Sequence, residues 1–581
     1  MKKHFRASLI FLLIAVLIML PQLVQHSIIL GGDSLFHFNR FFDAEQQISH
    51  GNIQYFMSVY GFSKSGRIVN ALYGPYIAYF NGFILYILKS WFLYQIFTGI
   101  FVLFIAGISM YYLLMNNKIN YIYAVFISSM YMMTYGVITW ITEQSFLSWG
   151  AIIVPLGLAV ATRLIRNRQK PINIIEMSFV TSLFIETHIL SAILLIFVYI
   201  IFGIISIFVV TSKKKLFVNL ITSIGITMVL TSNIWLALFE IYRDNKILAP
   251  FENLIPFQNG IINFMHDGRL LLIFSIIFIF QIGTMFFKIT HVSFENLVVT
   301  IVGGTLFFLT LPVIPWNYLF SHIPFISIIQ YPFRLLPFSE GLLLIGFALT
   351  LTNLNHNLFN LKNNALNRKL VNNVIKLVIF ITVFLTVMVV QNNVYNVSAQ
   401  WKSATNIIHN KHSVEYTENG EQLRQRFYSK DLGNALNYIW KPTPDYLPIK
   451  NNAENLHPYY RYDNEIVKNS NNKKEANQKG LQVKWVSTTN SYHNIGVVKY
   501  YDSTILINGH KPKRGEYYTT DLGTVMVKSR MGQNIVNISY KPRFLTTNML
   551  LVNLFSWIAF LAISLFVILK RFKKKESRWF H

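Results

Sequence analysis

The sequence predicts a mainly α-helical polytopic membrane protein with about twelve transmembrane helices and an extracytoplasmic β-sandwich domain before the last helix. Of the 581 residues, 53% are hydrophobic and 13% are charged, whereas soluble globular proteins carry roughly a quarter charged residues. Apolar stretches of the ~20 residues that cross a bilayer recur along the chain. A long polar stretch with alternating apolar residues precedes the last of them.

The first predicted span, residues 8–29, follows a basic segment but no small-residue cleavage site follows it. We therefore expect a retained helix rather than a signal peptide. The apolar stretch 68–88 contains Gly74-Pro75, and we assign it to a long first external loop, 30–92. The other spans are predicted at 93–115, 120–138, 147–164, 172–187, 190–211, 216–238, 269–288, 297–313, 335–352, 371–390 and 547–569.

Basic residues cluster in loops that twelve spans place on one side of the membrane. The clusters lie within 163–170, 213–215, 362–369 and 570–578. Because cytoplasmic loops are rich in Lys and Arg, both termini are predicted to be cytoplasmic. The first external loop and the segment 391–546 then fall outside. The transmembrane domain is predicted to cover 1–390, and residues 547–581 to form the final helix with its basic tail.

The segment 391–546 has the pattern of a separate β-rich domain. Short alternating stretches indicate strands of a sandwich, among them NIGVVKYY, STILING, TVMVKS and NIVNISY. It carries 21 Lys and Arg against 12 Asp and Glu, a net charge of about +9. This basic surface either meets anionic envelope polymer or lipid head groups, or is simply solvated.

Composition also excludes several classes of function. The chain has no cysteine, and so no disulfide, thiolate metal site or cysteine nucleophile. Its net charge of +26 is divided among short clusters between apolar segments, which disfavours nucleic-acid binding. Walker, GxSxG and HExxH motifs are absent from the sequence.

The stretch GGDSLFHFNR, residues 31–40, follows the first span and is the first candidate site. Asp33, His37 and Arg40 are spaced to share one face of a helix. Asp33 is either the N-cap of that helix or a functional carboxylate, a base or metal ligand that the nearby Arg keeps ionised.

Further polar residues are predicted at the external ends of spans. Glu186 and His188 form either a site or a turn, and Glu143 either a site or plain loop. In QYPFR, Pro332 presents the following Arg from a shaped loop, where it either snorkels or binds phosphate. The candidate substrate-binding residues are Arg40, Glu143, Glu186, His188, Arg269, Gln330, Tyr331 and Arg334.

Five motifs in order resemble one known family. They are GGDSLFHFNR, LYGPYIAYF, ETHILSA, IQYPFR and PDYLP. Together they resemble the bacterial membrane proteins called "6-pyruvoyl-tetrahydropterin synthase-related", close to the YfhO-like family. The resemblance covers essentially the whole chain. The family name does not describe the chemistry, because no His cluster here suits a pterin synthase.

The resemblance implies the GT-C glycosyltransferase architecture in a bacterial cell membrane, with an essential Asp in the first external loop and a polyprenyl-phosphate sugar as donor. Asp33 falls at that position. GT-C enzymes often have paired acidic residues there, whereas Gly32 precedes Asp33 and Ser34 follows it. We therefore predict a metal-free site with no cofactor.

The predicted function is transfer of a sugar from a polyprenyl-phosphate donor to an extracytoplasmic acceptor, which is a teichoic-acid-like polymer, a polysaccharide or a lipid. Asp33, oriented by His37, takes the proton from the acceptor hydroxyl. Arg334, with Arg40 or Arg269, stabilises the leaving phosphate. The alternatives are a lipid-linked sugar flippase and a non-catalytic protein that binds envelope glycan.

Overall fold

The computed structural model describes residues 2–249, 253, 270–288, 292–361, 365–402, 415–416, 419–450, 457–469 and 472–576. Within them the fold class is confirmed: the protein is a mainly helical polytopic membrane protein with an antiparallel β-rich domain before its last helix.

The N-terminal helices include both elements of the first external loop. Asp33 precedes the second helix, and a left-handed Gly74 (φ 57°) precedes the third. The helices are α1 (Lys2–Gln25), α2 (Ser34–Ser49), α3 (Pro75–Leu88), α4 (Trp91–Asn116), α5 (Tyr121–Tyr131), α6 (Tyr135–Glu143), α7 (Leu147–Ala151), α8 (Val154–Arg166), α9 (Ile174–Thr187), α10 (Ile189–Val209), α11 (Lys213–Leu230) and α12 (Ser232–Asp244).

The remaining helices divide between the membrane domain and the β-rich domain. They are α13 (Leu272–Lys288), α14 (Phe294–Phe308), α15 (Trp316–His322), α16 (Leu336–Leu361), α17 (Ala365–Gln400), α18 (Gly420–Phe427), α19 (Gly433–Leu436), α20 (Pro458–Tyr462) and α21 (Phe544–Glu576). Short 3-10 turns cover Phe62–Lys64, Pro324–Ile329 and Pro332–Leu335, and a π-turn covers Asp463–Val467.

All twelve predicted spans coincide with helices, but they differ in length. In the described residues, seven helices are long and apolar enough to cross a membrane, and two bent pairs, α5 with α6 and α11 with α12, raise the number to nine. The predicted spans 172–187, 269–288 and 297–313 correspond to helices of 14, 17 and 15 residues. Because these are shorter than the ~20 residues of a full span, the number twelve stays a prediction. The stretch 68–88 forms the 14-residue helix α3.

Helices α1, α4 and α17 pack together in the main core. The buried residues of α1 recur at helical spacing, at Ala7, Phe11, Ala15 and Ile18. A Cβ added to Gly107 of α4 would lie 2.9 Å from the Phe11 ring, so the small residue is what allows this close approach.

In the described residues, the β-rich domain contains nine strands in three antiparallel sheets. The orders are β3-β4-β9-β6, β5-β8-β7 and the pair β1-β2. Apolar residues of the two larger sheets share one core, so they form the predicted sandwich. The strands are β1 (Glu415–Tyr416), β2 (Ile439–Trp440), β3 (Lys473–Asn477), β4 (Gly480–Ser487), β5 (Tyr492–Val498), β6 (Ser503–Ile507), β7 (Tyr517–Thr519), β8 (Thr524–Lys528) and β9 (Gly532–Tyr540).

The first external loop is packed into the β-rich domain. Met57 and Val59 belong to the sandwich core. The fully buried Arg67 donates to the Thr443 carbonyl at 2.6 Å, to the Tyr462 hydroxyl at 3.1 Å and to the Asp445 carbonyl. These contacts hold the loop and the domain together, and the candidate site lies at their junction.

Candidate functional site

The turn before α2 is fixed by a close backbone contact. A Cβ added to Gly31 would lie 1.8 Å from the carbonyl oxygen of Glu143, at the end of α6. The close approach therefore requires glycine. Asp33 occupies the N-cap position, but its side chain makes no capping hydrogen bond and is 56% exposed. The carboxylate is thus free of the structural role that the sequence left open.

Lys441 is the cation that lies beside Asp33. It follows β2, and its Nζ donates to the Gly32 carbonyl at 2.5 Å and lies 3.8 Å from Asp33 Oδ1. The sequence assigned the orienting role to His37. Lys441 was not predicted, although it stands three residues before the PDYLP motif.

Arg40 is fully buried and its donors are used within the protein. Its Nε donates to Asn70 Oδ1 at 3.1 Å, one terminal nitrogen lies 3.2 Å from His37 Nδ1, and the other bonds to the Tyr73 and Gly74 carbonyls. The structure therefore uses Arg40 to hold the loop that follows Asn70.

His37 lies beside Arg40 and not against the Asp33 carboxylate. Its ring is 3% exposed and stacks on Phe146 at 4.5 Å. Burial and then the charge of Arg40 hold the pKa of His37 well below its usual value. The neutral imidazole can accept a hydrogen bond from Arg40.

Arg40 and His188, which belong to different sequence motifs, both lie near the rings of Tyr73 and Phe146. The guanidinium carbon lies 4.5 Å from the Tyr73 ring centre and 5.4 Å from that of Phe146. The ring of His188 lies 6.3 Å from each of the same rings. Helix α2, the loop before α3 and the turn between α9 and α10 therefore meet here, and they carry the motifs GGDSLFHFNR, LYGPY and ETHIL.

Tyr73 lies under the influence of charged side chains from three parts of the chain. Burial raises the pKa of its phenol to about 12; the charges of Arg40, Asp33, Arg334 and Asp445 also act on it. Tyr73 lies within the motif LYGPYIAYF, but it was not predicted as a site residue. Because this loop contains several aromatic residues, the sequence does not distinguish Tyr73 from the others; only the tertiary structure does.

Asp445 brings a second carboxyl group to the site from the β-rich domain. Burial raises the pKa of Asp445, while the charges of Arg67 and Lys441 lower it and that of Asp33 raises it. The charges of Asp33 and Lys441 therefore both act on Asp445. The second acidic group of the site is thus remote in sequence rather than adjacent to Asp33.

Arg334 lies in a shaped loop at the start of α16. Gln330 has a positive φ of 56°, and its Oε1 accepts a hydrogen bond from Arg334 at 2.6 Å. The guanidinium carbon lies 5.1 Å from the Tyr331 ring centre. Gln330, Tyr331 and Arg334, predicted from one motif, therefore contact one another.

Glu186 and His188 have different surroundings although they are two residues apart. His188 Nδ1 lies 2.7 Å from Ser191 Oγ and accepts from the Ser191 amide at 3.3 Å, which caps α10. Glu186 is 4% exposed, so its carboxylate is buried. Its backbone carbonyl packs against Gly74. Arg269 lies outside the described residues.

The groups that converge here can move a proton and stabilise negative charge. Asp33 supplies an accessible carboxylate, and Lys441 and Arg334 supply cations. The described part of the chain contains no group of three or more His, Asp or Glu residues that could hold a metal ion. The absence of a metal in function stays a prediction.

Comparisons with known proteins give one distant likeness. No protein-family model and no curated protein matches the chain, so the resemblance to the YfhO-like family stays a prediction. The crystal structure of an oligosaccharyltransferase from Archaeoglobus fulgidus, in its apo form, is similar at a TM-score of 0.34 and 14% identity. The likeness covers 73% of this chain and 60% of that one. At this level it supplies no correspondence between residues.

Proposed function

We propose that the protein is a GT-C-type membrane glycosyltransferase that transfers a sugar from a polyprenyl-phosphate donor to an acceptor hydroxyl outside the cytoplasm. The observation that supports this is the exposed Asp33 carboxylate, which makes no capping bond and lies 3.8 Å from Lys441, together with Arg334, whose charge acts with that of Asp33 on Tyr73. Neither the capping of α2 nor the packing of the core requires this arrangement.

Asp33 is the proposed general base. The acceptor oxygen attacks the anomeric carbon of the sugar while its proton passes to the Asp33 carboxylate, and the bond between that carbon and the phosphate oxygen breaks. The electron pair stays on the lipid phosphate. Lys441, at 3.8 Å, orients the Asp33 carboxylate in this proposal, so it takes the role first expected of His37.

Arg334 is the proposed phosphate ligand. Its loop leads directly into α16, at the start of the candidate span Pro332–Leu354, and this proximity to a span supports its assignment to the phosphate of a membrane-anchored donor. Gln330 and Tyr331 orient it. A positioned guanidinium stabilises the charge that grows on the leaving phosphate.

The other predicted residues have supporting roles in this proposal. Arg40 and His37 position the Tyr73 loop, because their hydrogen bonds are made within the protein. His188 closes the side of the site formed by the Tyr73 and Phe146 rings. Glu143 supports the Gly31 turn through its backbone. Glu186 lines the rear of the Gly74 turn.

A lipid-linked sugar flippase is the second candidate. Glu340 is fully buried within the span Pro332–Leu354. Ionisable groups at membrane depth are typical of transport pathways.

Reconstitution distinguishes the two candidates. Full-length protein in liposomes receives polyprenyl-phosphate glucose labelled in the sugar, with an envelope polymer fraction outside. We expect labelled polymer from wild type and none from Asp33→Asn. Label that crosses the bilayer without joining polymer, equally in wild type and Asp33→Asn, would contradict the transferase and favour the flippase.

A further inference from the structure

The loop between α14 and α16 exposes apolar side chains and carries no formal charge. Residues 309–333 contain no Asp, Glu, Lys or Arg. Val313 is 63% exposed, Tyr318 60% and Phe325 77%, so large apolar side chains stand on the outer surface of the loop. Neither the proposed mechanism nor the packing of the core uses this surface.

The inner side of the loop is anchored in the membrane domain. Trp316 and Phe320 lie one turn apart on α15, and both are buried in the main core. The indole of Trp316 donates to the Leu309 carbonyl at 2.9 Å. Because α15 buries this side, Tyr318 is left on the outer side of the helix.

The loop is too irregular to cross the membrane by itself. It contains prolines at 312, 315 and 324, which interrupt a helix, and α15 has only seven residues against the ~20 of a span. The exposed outer side also carries Asn317 and Ser321. Polar groups among exposed apolar ones suit the boundary between hydrocarbon and head groups, where Tyr and Trp are enriched.

A bilayer suits this outer surface better than a protein partner does. Protein interfaces have a polar rim around their centre, whereas no charged residue lies along this loop until Arg334. Both ends of the loop instead continue into apolar helices. Phe308, the last residue of α14, is 51% exposed, and α16 belongs to the candidate span Pro332–Leu354. Apolar segments of this kind, with scattered polar groups, are typical of membrane interfaces.

We infer that residues 311–329 lie in the interface of the leaflet on the side of the β-rich domain, in contact with its hydrocarbon, and thereby hold Arg334 at the level of the lipid phosphates. One terminal nitrogen of Arg334 donates to the Ile329 carbonyl, at the end of this segment, at 3.3 Å. The membrane contact stands by itself, whereas the use of this depth in donor binding rests on the proposed function.

The depth of the segment can be measured with single cysteines, because the chain contains none. Nitroxide labels on Phe325→Cys and Val313→Cys are studied by electron paramagnetic resonance in liposomes of phosphatidylglycerol and phosphatidylcholine, with NiEDDA on both sides of the bilayer. We expect both labels to collide more with oxygen than with NiEDDA. Met531→Cys is the matched control, since Met531 is 72% exposed and Phe325 77%. Its label should show the reverse ratio.

A label on Ile328→Cys, beside the carbonyl that Arg334 contacts, measures the depth of the Arg334 loop. Lipids with a nitroxide on the head group or on the fifth acyl carbon calibrate the scale, and we expect Ile328 to lie between them. A depth outside this range would overturn the inference. So would labels at Phe325 and Val313 that collide with NiEDDA as often as the label at Met531.

Sugar transfer by the same labelled proteins tests the proposed function separately. Transfer by a protein whose Phe325 and Val313 labels lie in water would leave the proposed function intact and remove the inference. Labels in lipid, with no transfer even by wild type, would support the inference and contradict the proposed function. Melting temperatures near that of wild type exclude a folding defect, and the high exposure of Phe325 and Val313 leads us to expect them.

Discussion

Asp33 shows how a residue can hold a structural position without filling its usual structural role. It stands at the N-cap of α2, but the carboxylate makes no capping bond and is 56% exposed. We therefore expect Asp33→Asn to leave the melting temperature unchanged. Loss of a general base lowers the rate by roughly a hundred- to ten-thousand-fold, measured as sugar transfer from a polyprenyl-phosphate donor.

The matched control for this change is Glu421→Gln, which removes an exposed carboxylate of the β-rich domain (66% exposed). It should transfer sugar at the wild-type rate. If Asp33→Asn transferred sugar at that rate as well, the base would have to be sought elsewhere, first at Asp445.

Asp43 is expected to make stability depend on pH. Its carboxylate accepts from the Tyr60 and Gly61 amides and from Gln47, yet burial raises its pKa from 3.8 to about 6. The folded state thus holds this proton more tightly than the unfolded state. Wild type should lose stability relative to Asp43→Asn as the pH rises from about 4 to 6, with no further relative change above that. Melting curves of both proteins across this range measure the difference, and a constant difference would contradict the prediction.

At the scale of elements, the Gly31 turn is the most constrained contact near the site. An added Cβ would meet the Glu143 carbonyl at 1.8 Å, so Gly31→Ala must displace either the turn or the end of α6. Overpacking of this kind costs about 1–3 kcal/mol. We expect a lower melting temperature and at least a tenfold loss of transfer. Gly203→Ala in α10 meets nothing within 4 Å and should behave as wild type.

The loop before α16 should determine how tightly the donor binds. Arg334→Lys keeps the charge but loses the planar fork that bonds to Gln330 and stacks on Tyr331. A hydrogen bond to a charged group is worth about 1.5–3 kcal/mol, so KM for the donor should rise about ten- to a hundredfold at an unchanged melting temperature. Arg514→Lys, at an exposed site of the β-rich domain, is the control. An unchanged KM in Arg334→Lys would make Arg334 a snorkelling anchor only.

Sequence predicted the elements better than their meeting points. Apolar length placed helices at all twelve predicted spans, and alternation placed β5, β6, β8 and β9, because these patterns are local. The helix after 371 runs to Gln400, ten residues past the predicted domain boundary, since polar residues such as Gln391 continue it and bond across to α1. Lys441 and Asp445 were missed because they reach Asp33 through the tertiary packing of a domain some 400 residues away in sequence.

At the scale of the whole molecule, the site depends on the interlocking of two domains. Arg67 joins the first external loop to residues 443–445, and Lys441, two residues before them, bonds to the Gly31–Asp33 turn. Asp33 and the Arg334 loop belong to the membrane domain, whereas Asp445 and Lys441 belong to the β-rich domain, so neither domain alone contains all of these groups. The predicted sidedness then has a functional meaning, because a site at this junction faces the same compartment as the β-rich domain.

This sidedness can be tested directly because the chain contains no cysteine. Single cysteines at Tyr460 and Met531, which are 73% and 72% exposed, should react with a membrane-impermeant maleimide on intact protoplasts. A cysteine at Lys214 should react only after permeabilisation. Five predicted spans separate Lys214 from Met531, and an odd number places them on opposite sides.

A fourth position tests the two short helices between them. The number of spans between Lys214 and Met531 stays odd whether α13 and α14 both cross the membrane or neither does. Labelling at Lys214 and Met531 therefore cannot distinguish these two cases. Ser293, exposed at the start of α14, can: a cysteine there should be protected if both helices cross and labelled if neither does. Protection at Ser293 together with labelling at Met531 would support the predicted topology from Lys214 to the β-rich domain. Protection at Tyr460 and Met531 with labelling at Lys214 would invert the molecule, and with it the compartment in which sugar transfer is proposed.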